Sequence, residues 1–238
     1  MVFERKKFDN FDLELLFKNI HYDMLYLRFF NLKKSQTDKL YKLENEILEA
    51  KKEIIANNYI TAKGVYKIFK VSKNNNIINI LDDNGNIIEE IETIKNKDGL
   101  CIADFLNNKD FVGLISTSIF VDEKVYDKFI KLRDFSKLYI INSVAIMMAE
   151  AFAEILHYYV RKDFGIEKDT SLENLYTKTK IGLRYSPGYP GLDISVNKKI
   201  YDLLNVREIG SDITSSYMLD PESSVQAIVI FNTKARYI

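Results

Sequence analysis

Hydrophobic and polar positions change period several times along the chain. From Asp12 to Asn31, aromatics and leucines mix with acids, which predicts one or two short helices. From Thr37 to Ala56, Leu40, Leu43, Ile47 and Ile54 recur at helical spacing with Lys and Glu between them, predicting a longer amphipathic helix. The period then shortens. "GVYKIFKV" alternates as a strand does, and "NIINILDDNGNIIEEIETI" predicts a hairpin closed at Asn84-Gly85, a preferred pair for a type I′ turn. "LCIADFL" and "FVGLISTSIF" are short apolar runs, expected as buried strands or as a strand and a turn. Helical period returns from Asp134 to Lys162. There Leu138, Ile141, Ala145, Met148, Phe152, Ile155 and Tyr159 step by three and four, while Ile140, Val144, Met147 and Ala151 widen the apolar face. Such a helix is mostly surrounded by protein. Its polar stripe is narrow: Ser143, Glu150, Glu154 and His157. "SVNKKIYDLLNV" predicts another helix and "VQAIVIF" a strand. Helices and strands do not strictly alternate, so the expected fold is a mixed α+β domain with an antiparallel sheet and a long central helix. Residues 1–238 are read as one domain, helical over 1–60 and α+β over 61–238.

Composition narrows the chemistry. The 238 residues carry 34 basic and 34 acidic side chains, so overall charge gives no case for nucleic acid or for an acidic membrane surface. One cysteine, Cys101, excludes a disulfide framework and fits a reducing, cytoplasmic setting; in its apolar run it reads as an inert buried thiol. The two histidines, His21 and His157, are far apart and offer no zinc-like spacing. The N-terminal residues lack the apolar core of a signal peptide, and the apolar run around Ala145 to Ala153, broken by Glu150, is too short to span a bilayer. No phosphate-binding glycine loop, nucleophile elbow or metalloprotease helix motif is present.

Of three prolines, two stand together in "GLRYSPGYPGLD", Gly182 to Asp193, beside Arg184. Proline fixes φ and removes a backbone donor. Pro187 and Pro190 around Gly188-Tyr189 therefore predict a stiff turn with free carbonyls and a fixed tyrosine ring. A loop that holds its shape before a ligand arrives lowers the ordering cost of binding. Arg184 beside it offers a bidentate fork for a carboxylate. The alternative is a structural turn carrying a surface arginine, and these residues alone leave both open. Glu150 has two readings as well: outward with Glu154 and His157, or buried with a cationic partner. His157, lacking a carboxylate or cysteine at catalytic spacing, reads as a helix-surface residue, and Met147 and Met148 as core packing.

Three motifs in order change the picture. "AEAFAEILHYYVRKDFG" (149–165), "IGLRYSPGYPG" (181–191) and "TSSYMLDPESSV" (214–225) resemble the activation domain of cobalamin-dependent methionine synthase. "LCIADFL" is similar to a further element of that family. The resemblance implies a domain that binds S-adenosylmethionine and presents its methyl group to a cobalamin held by a partner protein. That partner would be a cobalamin-binding methionine synthase subunit, and a flavodoxin-like donor would supply an electron for reductive methylation of cob(II)alamin. Residue by residue, Arg184, Gly188, Tyr189 and Pro190 match the family's loop and Glu150 the first acid of its helix. Arg184 is suited to the ligand's carboxylate, and Glu150 with Asp23 to its cationic part. Tyr189 would border the sulfonium and adenosine, and Tyr237 matches a family tyrosine that touches the ligand. Tyr185 and Ser186, with Gly188, are expected to complete the ligand-binding set, although Tyr185-Ser186 replaces the usual Pro-Ala; "GLDIS" replaces a Pro/Cys/His-bearing segment, and Gln226-Ala227 a Ser-Gly pair. No catalytic or metal-ligating residue is implied. The folate, homocysteine and cobalamin domains are not in this sequence, so the expectation is a separate subunit of a split methionine synthase. Two alternatives are a docking module for a corrinoid protein whose ligand site has decayed, and a reactivator of another corrinoid methyltransferase.

Overall fold

The computed structural model describes residues 2–168, 171–172, 175–177 and 182–238. Ile181, the first residue of the proline motif, lies outside them. Strand β1 (Lys6–Phe8) precedes three helices, α1 (Leu13–Lys18), α2 (Tyr22–Phe30) and α3 (Thr37–Asn57). Strands β2 (Ile60–Asn74), β3 (Ile77–Leu81), β4 (Ile87–Glu92) and β5 (Lys109–Val121) follow, then α4 (Glu123–Lys131) and the long α5 (Phe135–Phe164). The remainder is β6 (Leu183–Tyr185), α6 (Val196–Leu204), the small pair β7 (Asp212–Ile213) and β8 (Leu219–Asp220), and β9 (Ser224–Ile230). The main sheet is antiparallel, in the order β4-β3-β2-β5-β9-β6, with β1 also pairing β2. The N-terminal 60 residues therefore contribute a strand to this sheet as well as helices.

Both faces of the sheet are covered, which is why β5 and β9 read as apolar runs rather than clean alternation. Ile115, Ile119, Ala227 and Val229 join the core beneath α5 and the N-terminal helices. Val112, Leu114, Ile228 and Ile230 face the opposite core, with α6 and the segment around Cys101. Asp134 caps α5 by accepting from the Lys137 amide, and Gly165 ends it in the left-handed conformation. By length and composition α5 could cross a membrane, but 72% of its most apolar window is buried inside the protein. The whole helix, longer than its most apolar run, is a core element with Met147 and Met148 packed inside.

Of the two apolar runs, "FVGLISTSIF" lies in strand β5 and "LCIADFL" supplies the turn: Ile102–Phe105 form a 3₁₀ turn in which the Asp104 carboxylate accepts from the Cys101 amide. Two local expectations are corrected. The hairpin exists, but only Gly85 in its turn has positive φ, whereas a type I′ turn needs two such residues. Asp82 pairs with Asn86 and its carboxylate takes the Asn84 and Asn86 amides, giving a three-residue loop with Gly85 in the left-handed position. His157 is not on the surface but 2% exposed, because the polar stripe of α5 faces protein.

Two glycines set how closely α5 lies on the sheet. A Cβ on Gly113 would stand 2.3 Å from Val160 Cγ1, and one on Gly64 2.8 Å from Phe152 Cζ. Gly113→Ala is therefore expected to destabilise the fold by about 1–3 kcal/mol, the usual cost of overpacking. Urea denaturation reads this directly; an unchanged midpoint would mean that α5 is free to lift off β5.

Candidate functional site

Arg184 is the middle residue of β6, an edge strand that pairs Arg184 with Val229 of β9. Strand alternation sends its neighbours, Leu183 and Tyr185, to the α6 side. Arg184 is thereby directed at α5, where Glu150 and Glu154 sit one turn apart. Its Nη2 lies 3.0 Å from Glu150 Oε2 and 3.2 Å from Glu154 Oε1. Its side chain is 14% exposed, and Nη1 is buried with no hydrogen-bond partner among the described residues. Burial opposes the guanidinium's charge, but Glu154 and then Glu150 outweigh it, so the pKa is raised and the group stays charged. The sequence left Arg184 open between a surface residue and a carboxylate clamp, and Glu150 open between outward and paired. The structure pairs the two.

Ser186 to Asp193 form a tight loop after β6. Gly188 adopts φ +84° and donates to the Leu192 carbonyl, while Tyr189 donates to Ser186 and Leu192 to Tyr189. Gly191 has φ +96°, and its carbonyl accepts from Ile94. The loop carbonyls are thus largely engaged rather than free, as they must be for the turn to hold its shape. Pro187 is buried, whereas the Tyr189 ring is 66% exposed at the rim.

A cavity of about 290 Å³ opens here, lined by Arg184, Glu150, Tyr185, Ser186, Tyr189, Pro190, Tyr237 and Ile238. Seven of these eight residues, all but Ile238, are ones the sequence singles out. Tyr185 donates to the Arg236 carbonyl at 2.9 Å and meets Tyr237 edge-on, with ring centroids 5.8 Å apart. Burial, and next the Tyr237 phenol, push the Tyr185 pKa up to about 12. Gly188 does not line the cavity; it turns the chain so that Tyr189 does. Asp23 is elsewhere. It pairs with Lys34 at 2.7 Å and borders another cavity with His21 and Tyr176, because it occupies the first turn of α2.

Sequence reasoning missed Glu154 as a second partner of Arg184, although the i, i+4 spacing of two acids on one narrow stripe was a usable signal. It also missed a second cavity of about 300 Å³ that shares Glu150, Ser186 and Tyr189 with the first. β6 pairs only with the last part of β9, so Ser224 to Gln226 form a free sheet edge along that second cavity, with Arg28, Asn197 and Met218 opposite. The two cavities adjoin at Glu150, Ser186 and Tyr189 and form a cleft region charged at Arg184 and Glu150, with Tyr189 exposed at the rim.

Fold and site together define a mixed α+β domain whose cavities follow a sheet edge and carry both charge signs. The chain belongs to the family of the vitamin B12-dependent methionine synthase activation domain, which it matches over residues 6–238. A crystal structure of the MetH reactivation domain bound to AdoHcy has the same fold, with a TM-score of 0.81 at 24% identity, covering 99% of this chain and 80% of that one.

Proposed function

We propose that this chain binds S-adenosylmethionine in the cleft between β6, the proline loop and α5, and presents it to a cobalamin protein as the reactivation subunit of a split methionine synthase. The observation that carries this reading is the juxtaposition of Arg184 and Glu150 in a cavity walled by Tyr185, Tyr189 and Tyr237. An amino acid end needs a cation for its carboxylate and an anion for its ammonium, and a sulfonium is favoured beside aromatic faces. The cobalamin, on the partner, would accept one electron from a flavodoxin-like donor and then the methyl group from sulfur, leaving S-adenosylhomocysteine. The residues here orient and shield the ligand, and that role asks for no general acid or base. The family match and the shared fold with an AdoHcy-bound reactivation domain support the reading.

The second reading is a docking module without a ligand. It is favoured by one observation, that Arg184 is already paired with two carboxylates. Calorimetric titration with S-adenosylmethionine, and in parallel with S-adenosylhomocysteine, separates the two. Saturable binding is expected. No heat at about millimolar ligand, roughly −4 kcal/mol on the affinity scale, would leave the docking reading standing.

A further inference from the structure

The two carboxylates that hold Arg184 are not equivalent. Glu150 is 33% exposed at the junction of the two cavities, whereas the Glu154 side chain is 10% exposed and lies deeper on the same helix. Both reach the same nitrogen, Nη2, while Nη1 is left buried without a partner among the described residues. A buried donor left unbonded is costly, so a carboxylate that reached Nη1 would gain more than an exposed contact does. Arg184 and Glu150 line the same cavity, so a ligand carboxylate placed there would meet the guanidinium beside Glu150.

We propose that Glu154 is the positioning residue of the site, the fixed counter-ion that keeps the Arg184 guanidinium in place while Glu150 exchanges with the ligand. In the structure Glu150 pairs with the guanidinium. When an α-amino acid end enters, its carboxylate takes over the cleft side of Arg184, and the displaced Glu150 turns to the ammonium. Glu154, held in the wall, keeps Nη2 throughout. Without it, Arg184 would follow Glu150 or the ligand, and the fork would lose its aim. The inference rests on the proposed S-adenosylmethionine site and names which acid anchors and which one moves.

The test is a ligand-by-variant cycle on the full chain, with S-adenosylmethionine and its decarboxylated form as probes. Glu154→Gln keeps a hydrogen-bond acceptor for Nη2 but removes the charge. It is expected to weaken S-adenosylmethionine binding by about tenfold, the difference between a charged and a neutral hydrogen-bond partner. The decarboxylated ligand, which makes no use of the fork, is expected to change by less than about twofold on the same warrant. Equal losses for both ligands would mean a merely structural role and would overturn the proposal. If the wild-type chain binds neither ligand, or both equally well, the reading of the site itself fails and the anchor with it. Should thermal melting find Glu154→Gln unfolded, Glu154→Asp, which keeps the charge on a shorter arm, is run with the same pair. Selective loss of the carboxylate-bearing ligand is again expected, and an unselective loss again overturns the proposal.

Discussion

Replacing Arg184 by lysine is expected to weaken S-adenosylmethionine binding by about 10- to 100-fold and to leave the domain folded. Lysine keeps a positive charge facing Glu150 and Glu154, so the acids of α5 are not left beside one another without a cation. What it lacks is the fork: one ammonium cannot hold two carboxylates on one side and a ligand carboxylate on the other. Losing a hydrogen bond to a charged group costs about 1.5–3 kcal/mol, which gives the stated range. Arg184→Ala is a poorer test than the sequence suggests. Read as a loop arginine, Arg184 could be truncated with little effect on folding. In the structure its removal strips the charge partner from a pair of mostly buried acids, a change that costs about 3–5 kcal/mol in other proteins. Loss of binding in the alanine variant would then be hard to separate from loss of fold. Titration of Arg184→Lys, with its thermal melt recorded alongside, makes that separation. Unchanged affinity in a folded lysine variant would sink the carboxylate clamp.

The difference between those two variants also marks what could be read from the sequence. Elements with a long, consistent period were legible: α3, α5, β9 and the β3–β4 hairpin lie close to where the pattern puts them. So was the cluster of site residues in the proline loop, because proline and glycine chemistry is local. What failed was decided by contacts distant in sequence. Glu150 and Glu154 are 34 and 30 residues from Arg184, and nothing in their spacing says that β6 will lie along α5. That follows from β6 pairing with β9, which turns Arg184 toward the helix and Tyr185 away from it. His157 on the polar stripe of α5 reads as exposed for the same reason, and Glu150 is left open. Four polar residues on one helix face ordinarily mark solvent, but here the stripe meets an arginine delivered by an edge strand. "LCIADFL" was ambiguous in principle, since a short apolar run fits a buried strand or a buried turn equally well. Asp23 could be placed only by likeness, and its exposed pairing with Lys34 keeps it out of the cleft.

His157 is the point where that misreading has a measurable consequence. It lies one turn beyond Glu154, 2% exposed, with neither ring nitrogen hydrogen-bonded among the described residues. The nearest Glu154 oxygen is 3.9 Å from Nδ1, too long for a hydrogen bond. Burial lowers its pKa from 6.5 to about 4; Glu154 pulls in the opposite direction, and the charges of Arg161 and Arg184 add to the lowering. The folded chain therefore keeps His157 neutral where the unfolded chain protonates it. Between 6.5 and about 4 the unfolded state binds more protons, so stability falls as pH falls through this window and is unaffected by this group above it. One and a half pH units below 6.5, at about pH 5, the expected loss is roughly 2 kcal/mol, at 1.36 kcal/mol per unit. Other carboxylates and lysines titrate too, so the comparison must be made against a variant that differs only here. In urea denaturation near pH 7.5 and about pH 5, the wild-type chain should lose about 2 kcal/mol more than His157→Phe. The phenylalanine variant's own stability, higher or lower, does not enter this difference. Equal losses would mean that His157 carries a proton in the folded protein, so that Glu154 would face an imidazolium as well as Arg184. Its hold on the guanidinium would then be shared.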